Sequence, residues 1–368
     1  MNNPVLPGVE RKASRVAATL SPATEGLIGN TAIPYARRVI EPRHLRVLHA
    51  VMKAGSFTAA ARELRCTQPA VSQQIKALEK SVGTPLLARS GRDAHLTEAG
   101  EILARHATSI LARLTAAEEE IAAIAGLHAG CVRLVSFLSG TSTVIPPALA
   151  ALRAERPEVE VTLSEATPPR AIAMLRNGDC DIALAFRYPE LPGAAPRAPG
   201  AHPEDPGTEG EEDADWDGLA AHPLLTDRLV GLLPEGHHLA GAGKLELADL
   251  AGDTWILGCA SCRRHVVKVC ESTGFTPRMD LTTDDYPTVI GLVGAGMGVS
   301  VLPELALSSL PSGTVRLVPI VPTIQREVVA LTLPAYESVP AVRLMLQHLK
   351  SAARLAGQAL DGTSLPPR

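Results

Sequence analysis

Two clusters of residues have the types and spacing to do chemistry. One is Thr67-Gln68-Pro69, followed by Ser72, Gln73 and Lys76. Amides and hydroxyls donate and accept at base edges, glutamine pairing adenine through two bonds, while lysine offers a charge for phosphate. Around them, residues 42–92 carry nine basic residues against Glu63 and Glu79, a net charge of +7. That is the electrostatic footprint that phosphate binding needs. The other cluster is Cys259-x-x-Cys262, with His265 and Cys270 close behind. It admits three readings: packing of a ligand-binding loop, a zinc site, or a thiol switch whose thiolate is favoured by Arg263 and Arg264 at a helix start. Zinc wants a second pair of ligands that a single CxxC lacks. Cys262 as nucleophile with His265 as base would stand three residues apart on one helix face, but a thiol enzyme leaves the basic segment unexplained. No Ser/His/Asp or paired-carboxylate arrangement emerges, so the sequence reads as a chain that is not an enzyme and uses no cofactor and no metal.

The elements that position the first cluster read as helices. Leu45, Leu48 and Met52 recur at helical spacing until Gly55. Ser56 is a good N-cap for a second helix whose buried face is Phe57, Ala60, Ala61 and Leu64. Arg65-Cys66 makes a tight turn, and Thr67 caps a third helix with Pro69 tolerated in its first turn. That helix buries Val71, Ile75 and Leu78 and turns Gln68, Pro69, Ser72, Gln73, Lys76 and Lys80 outward, the pattern of a helix-turn-helix. Extended runs at 86–89 and 93–96 around Ser90-Gly91-Arg92 predict a hairpin wing. Thr97 then caps a long helix. Leu103, Ala107, Ile110, Leu114, Ala117, Ile121 and Ile124 follow at spacings 4, 3, 4, 3, 4, 3, the seven-residue seam of a coiled-coil dimer. Beyond Cys131, short apolar strands alternate with helices near 145–155, 170–177 and 340–356, which predicts βαβ units and an open, mostly parallel sheet.

The 368 residues are 46% hydrophobic, enough for two or three cored domains, and no apolar run is long enough to cross a membrane. Six unevenly spaced cysteines do not make a secreted disulfide scaffold, so a reduced, cytoplasmic chain is expected. Residues 1–40 lack periodicity and read as a disordered extension; the apolar stretch at 16–20 is too short for a signal core. A second reading has translation start at Val39, which leaves 1–38 out of the native protein. Residues 189–218 hold six Pro, five Gly and nine acids against Arg197, a net charge of −8, and read as a solvated, disordered insertion. Residues 357–368 read as a disordered tail. The whole-chain charge of −4 therefore hides opposite regional charges.

Gly55-Ser56-Phe57-Thr58-Ala59-Ala60-Ala61, then Thr67-Gln68-Pro69-Ala70-Val71-Ser72-Gln73-Gln74-Ile75-Lys76-Ala77-Leu78-Glu79, then Leu96-Thr97-Glu98-Ala99-Gly100 resemble the winged helix-turn-helix of LysR-type transcriptional regulators. The resemblance is specific over the first hundred of residues 42–356 and a matter of pattern beyond them. Leu87 stands where the family usually has an aromatic and Ala88 where an acid precedes Arg89, a departure that predicts looser packing of the wing.

The resemblance implies a multidomain fold: an α-rich winged helix-turn-helix (41–96), a coiled-coil linker helix (97–127), and an α/β effector-binding domain (130–356) like a periplasmic binding protein. Its first subdomain would be 130–188 plus 320–356 and its second 219–319, with the acidic insertion at the first crossover. Thr67, Gln68, Pro69, Ser72 and Gln73 would face base edges in the major groove of double-stranded promoter DNA, while Lys76, Arg89 and Arg92 sit on phosphates. A dimer, with two dimers joining into a tetramer, would act on RNA polymerase. A small-molecule effector, an anion such as a carboxylate, would bind between the subdomains, where helix N-termini supply N–H donors. Its candidate contacts are Ser136, Ser139, Thr141 and Ser142 after the first strand, Cys259, Ser261 and Cys262 after residues 255–257, and Thr283 and Asp284 before a later helix. Two other readings stay open: a thiol-based redox-sensing regulator using Cys259 and Cys262, and a solute-binding protein, which shares the C-terminal fold but needs an export signal.

Overall fold

The computed structural model describes residues 40–90, 93–124, 130–189, 215–258, 260–308 and 313–362. The expectations for the N-terminal extension, for Arg92 and Cys259, and for most of the acidic insertion lie outside the described residues.

The head begins with α1 (Pro42–Ala54), which ends at Gly55 in the left-handed region (φ +66°), where a side chain would be strained. Ser56 starts α2 (Phe57–Glu63), its Oγ accepting the Ala59 amide at 3.2 Å. Arg65, itself at φ +50°, makes the turn into α3 (Gln68–Val82). Thr67 holds the N-cap position of α3, but its hydroxyl makes no capping bond, because Pro69 removes one of the two amides it would reach. Leu48, Val51, Ala60, Val71, Ile75 and Leu78 pack into one small core. The wing follows as β1 (Leu87–Ser90) and β2 (Asp93–Leu96), with Leu87 opposite Leu96. Its root is packed rather than loose: Leu87 is buried in the head core, and Glu79 Oε1 accepts the amides of Leu86 (2.9 Å) and Leu87 (3.3 Å).

Thr97 starts α4 (Glu98–Ile124), its Oγ1 accepting the Gly100 amide at 3.1 Å. The apolar seam of α4 divides. Leu103 packs against the head core and Ala107 is buried, whereas Ile110, Ala117 and Ile121 are exposed and Leu114 is half-buried. Ala112 and Ala116, off the predicted seam, pack into the core of the next domain. The helix therefore serves its own chain along one stripe and leaves another apolar stripe uncovered.

That next domain has two lobes. The first contains β3 (Cys131–Ser136), α5 (Leu138–Thr143), α6 (Ile145–Glu155), β4 (Glu160–Glu165), α7 (Pro168–Arg176) and β5 (Ile182–Arg187). The chain crosses on β6 (Ala220–Pro234) to the second lobe, with β7 (Leu245–Glu246), β8 (Thr254–Ile256), α8 (Ala260–Ser272), β9 (Arg278–Leu281), α9 (Tyr286–Gly294), β10 (Ser300–Pro303), α10 (Glu304–Leu307) and β11 (Val315–Val321). It returns on β12 (Gln325–Thr332) and closes with α11 (Pro340–Gly362).

One curled sheet runs β4-β3-β5-β12-β6-β11-β7, with β10 also paired to β6. Only the β4-β3-β5 part of this path and the short β7–β11 pairing are parallel; β12, β6, β11 and β10 pair antiparallel, because the same strands must lead out of one lobe and back into it. β6 is continuous through both lobes. Its first half pairs with β12 and its second with β10 and β11, so residues 220–228 belong with the first lobe and not, as expected, with the second. α11 runs six residues past the predicted end at 356, since Leu360 still packs into the first-lobe core. The insertion is anchored at its end: Trp216 and Leu219 pack on that core, and Arg176 Nη2 donates to the carbonyls of Asp215 (2.6 Å) and Asp217 (3.2 Å).

Candidate nucleic-acid interface and effector cleft

α3 presents a single polar face. Its apolar residues Val71, Ile75 and Leu78 point into the head core, which leaves Thr67, Gln68, Pro69, Gln73 and Lys76 exposed and Ser72 half-buried beside them. Gln68 Nε2 donates to Ser72 Oγ at 2.9 Å, so one turn of helix holds the amide in place. Arg89 lies on β1 and Arg92 outside the described residues, so the structure places the α3 residues together and is silent on these two side chains.

The positive charge of the head is not all available. Lys53 bonds Asp179 of the first lobe at 2.7 Å and Glu63 at 3.6 Å, and Arg46 lies 4.0 Å from Glu118 of α4. The bond from Asp179 holds the Lys53 ammonium above its ordinary range. Next to this contact His49 Nε2 meets the carbonyl of Asn177. Among the described residues Arg62, Arg65, Lys76 and Lys80 are exposed and in no ion pair.

The predicted effector residues separate into two groups. Ser136 and Ser139 are fully buried, Ser142 is exposed and donates to the Ser139 carbonyl, and Thr141 is half-buried with its Oγ1 lacking a hydrogen-bond partner. Across the domain, Gly258, Cys262 and Thr283 line a narrow crevice with Tyr286. Gly258 is required there, since a Cβ would lie 2.5 Å from the Thr283 carbonyl oxygen. Asp284 is exposed beside it, and the Ser261 side chain is not among those described. The His265 ring stacks on Tyr188 at 4.0 Å, joining α8 to the end of β5.

What the sequence reading missed lies between these groups. Arg326 on β12 and Asp227 on β6 are cross-strand partners with no exposed surface, at the point where both strands pass from lobe to lobe. Arg326 Nε and Nη2 donate to Asp227 Oδ2 (2.9 and 2.8 Å), Nη2 also to Ser139 Oγ (2.8 Å), and Asp227 Oδ1 accepts the Leu305 amide of α10 (3.0 Å). Burial pushes the Asp227 carboxyl up, opposed by Arg326 and the Leu305 amide; burial pulls the guanidinium down, but Asp227 together with Tyr188, Cys262 and Tyr286 more than offsets it. The ion pair thus ties α5 of one lobe to α10 at the lobe junction. A signal was present: Arg326 stands two residues before the buried apolar run 328–331.

Comparison with known proteins agrees with this geometry. Residues 42–101 match the family described as "Bacterial regulatory helix-turn-helix protein, lysR family", and residues 125–198 and 208–354 match "LysR substrate binding domain". Over 324 residues the chain is 30% identical to the HTH-type transcriptional regulator CbbR of Rhodospirillum rubrum, covering 85% of this chain and 98% of that protein. It is 28% identical to the transcriptional dual regulator GltC of Bacillus subtilis, covering 78% and 89%. A full-length OxyR variant from Pseudomonas aeruginosa shares the fold with a TM-score of 0.63 at 18% identity, covering 86% of this chain and 97% of that one. Winged head, linker helix and two-lobed domain together place the chain in the LysR family of DNA-binding transcriptional regulators, whose C-terminal domain binds effectors.

Proposed function

We propose that this regulator reads its operator through Thr67, Gln68, Pro69, Ser72 and Gln73, sits on phosphates through Lys76, Arg89 and Arg92, and catalyses no reaction. The exposed polar face of α3 on a +7 head carries this reading. The uncovered stripe of α4 (Ile110, Leu114, Ala117, Ile121) supports a dimer, which sets two recognition helices about one helical turn apart on DNA. Dimers pair into tetramers. A small-molecule effector closes the two lobes, changes how the dimers pack and so bends bound promoter DNA differently for RNA polymerase. This is work done in the cytoplasm, where the DNA is.

A gel-shift of the full-length protein on the DNA upstream of its own gene tests the proposal. A discrete complex that survives excess random duplex is expected. Absence of any complex at low salt overturns it.

A further inference from the structure

The head and the first lobe of the same chain meet at one turn, residues 177–181 between α7 and β5. Its inner side is pinned to the lobe. The Asp181 carboxylate accepts the Arg133 amide at 2.8 Å and pairs with the Arg133 guanidinium at 2.6 Å, while Arg133 Nη1 donates to the Gly178 carbonyl at 2.7 Å. Thr332 Oγ1 of β12 donates to the Asp181 carbonyl, also at 2.7 Å. Its outer side touches the head: Asp179 bonds Lys53 of α1 at 2.7 Å, and the Asn177 carbonyl meets His49 Nε2. A Cβ at Gly178 (φ +71°) would lie 3.4 Å from Thr108 Cγ2 of α4 and 3.9 Å from His49 Nε2, so the turn seats against both α1 and α4. Lys53 has a second partner within the head, Glu63 at the end of α2, 3.6 Å away.

We propose that Asp179, although it belongs to the effector domain, is a positioning residue for operator recognition: its bond to Lys53 holds the head at one angle and so sets the separation of half-sites that the dimer accepts. This rests on the reading of the chain as a dimeric DNA-binding regulator. Among the described residues it is the one ion pair that joins the head to the two-lobed domain, since Arg46 reaches only Glu118 of α4. The bond is built to be exchanged. With Asp179 withdrawn, the Lys53 ammonium keeps Glu63, so neither position strands a charge, and a partly exposed pair is worth only a factor of about 2–5 in an equilibrium. Acting once in each protomer, that bias chooses between neighbouring spacings without locking the head. The turn is also connected to the crossing of the lobes: Thr332, which holds Asp181, lies on the same strand as Arg326.

The test uses the full-length protein and the duplex it enriches from a random pool, in anisotropy titrations. The spacer between the half-sites is lengthened or shortened by single base pairs, and a duplex with one half-site is the reference. Wild type is expected to lose affinity when the spacer changes. Asp179→Lys, which sets two ammonium groups against each other, reduces that loss by about threefold or more, and Lys53→Gln acts in the same direction. Adding Lys53→Glu to Asp179→Lys restores an opposite pair and with it the spacing preference. Thermal unfolding and light scattering check that each variant keeps its fold and mass, and if Asp179→Lys does not, Lys53→Gln decides. A wild type indifferent to spacing, folded variants that keep its preference, changes that are equal on every duplex including the single half-site, or a swapped pair that restores nothing overturns the positioning role. A wild type that enriches no duplex with two half-sites instead overturns the regulatory reading beneath it.

Discussion

Gln68 and Ser72 act as a unit at the surface of α3, because the 2.9 Å bond between them spends one amide hydrogen and orients the rest of the group. Gln68→Ala is expected to cost about 1–3 kcal/mol on the operator and little on random DNA, and Ser72→Ala a smaller share of the same preference. Lys76→Ala should instead weaken binding to every sequence and reduce the salt slope by about one. Anisotropy titrations across salt concentrations separate the two; equal losses on specific and random duplexes for all three variants would contradict the roles assigned. In the interior, Arg326→Met leaves Asp227 buried and unpaired, at a cost of about 3–5 kcal/mol in urea unfolding, and Arg326→Met with Asp227→Leu recovers most of it. A double variant no more stable than the single one would show that the ion pair, not its apolar surroundings, holds the crossing together.

Elements were legible in the sequence where one short stretch decides them. The 3.6-residue period of Val71, Ile75 and Leu78 and the Ser56 cap specify α2 and α3 without reference to the rest of the chain. The seam of α4 was legible as apolar but not as divided, because Leu103 and Ala107 meet a head folded from other residues. β6 was legible only in its second half: Pro223 and the charged pair Asp227-Arg228 hide a strand whose partner lies 99 residues away. Gly258, Cys262 and Thr283, singled out by loop composition, line one crevice, while Arg326 was not legible, since only pairing with β6 buries it. Two predictions belong to this scale. Ile110→Glu with Ile121→Glu should reduce the mass of the particle in light scattering; an unchanged mass would exclude α4 as the dimer seam. At the joint between α1 and the turn after α7, a double-mutant cycle of Lys53→Ala and Asp179→Ala should give a coupling of about 0.3–1 kcal/mol, modest because Lys53 is half exposed.

Over the whole molecule, charge is arranged rather than neutralised: +7 on the DNA-binding head and −8 across residues 189–218 sum with the remainder to −4. The acidic segment ends at Asp215–Asp217, where its carbonyls are bound by Arg176 on the first lobe. Deleting 190–214, which removes a net −6, should raise affinity for random DNA at low salt, and an unchanged affinity would show that this charge plays no part there. The head meets the first lobe through Lys53, His49 and α4, and the lobes meet each other through β6, β12 and the Arg326–Asp227 pair. A continuous physical path thus runs from the cleft to the recognition helix.

Above all, we propose that this chain recognises a specific duplex sequence as a dimer. Selection from a random duplex pool with the full-length protein tests it most directly. Enrichment of an interrupted palindrome whose half-sites lie about one helical turn apart is expected, and its loss when Gln68 is replaced by alanine. A pool that stays random while still binding through charge would contradict it.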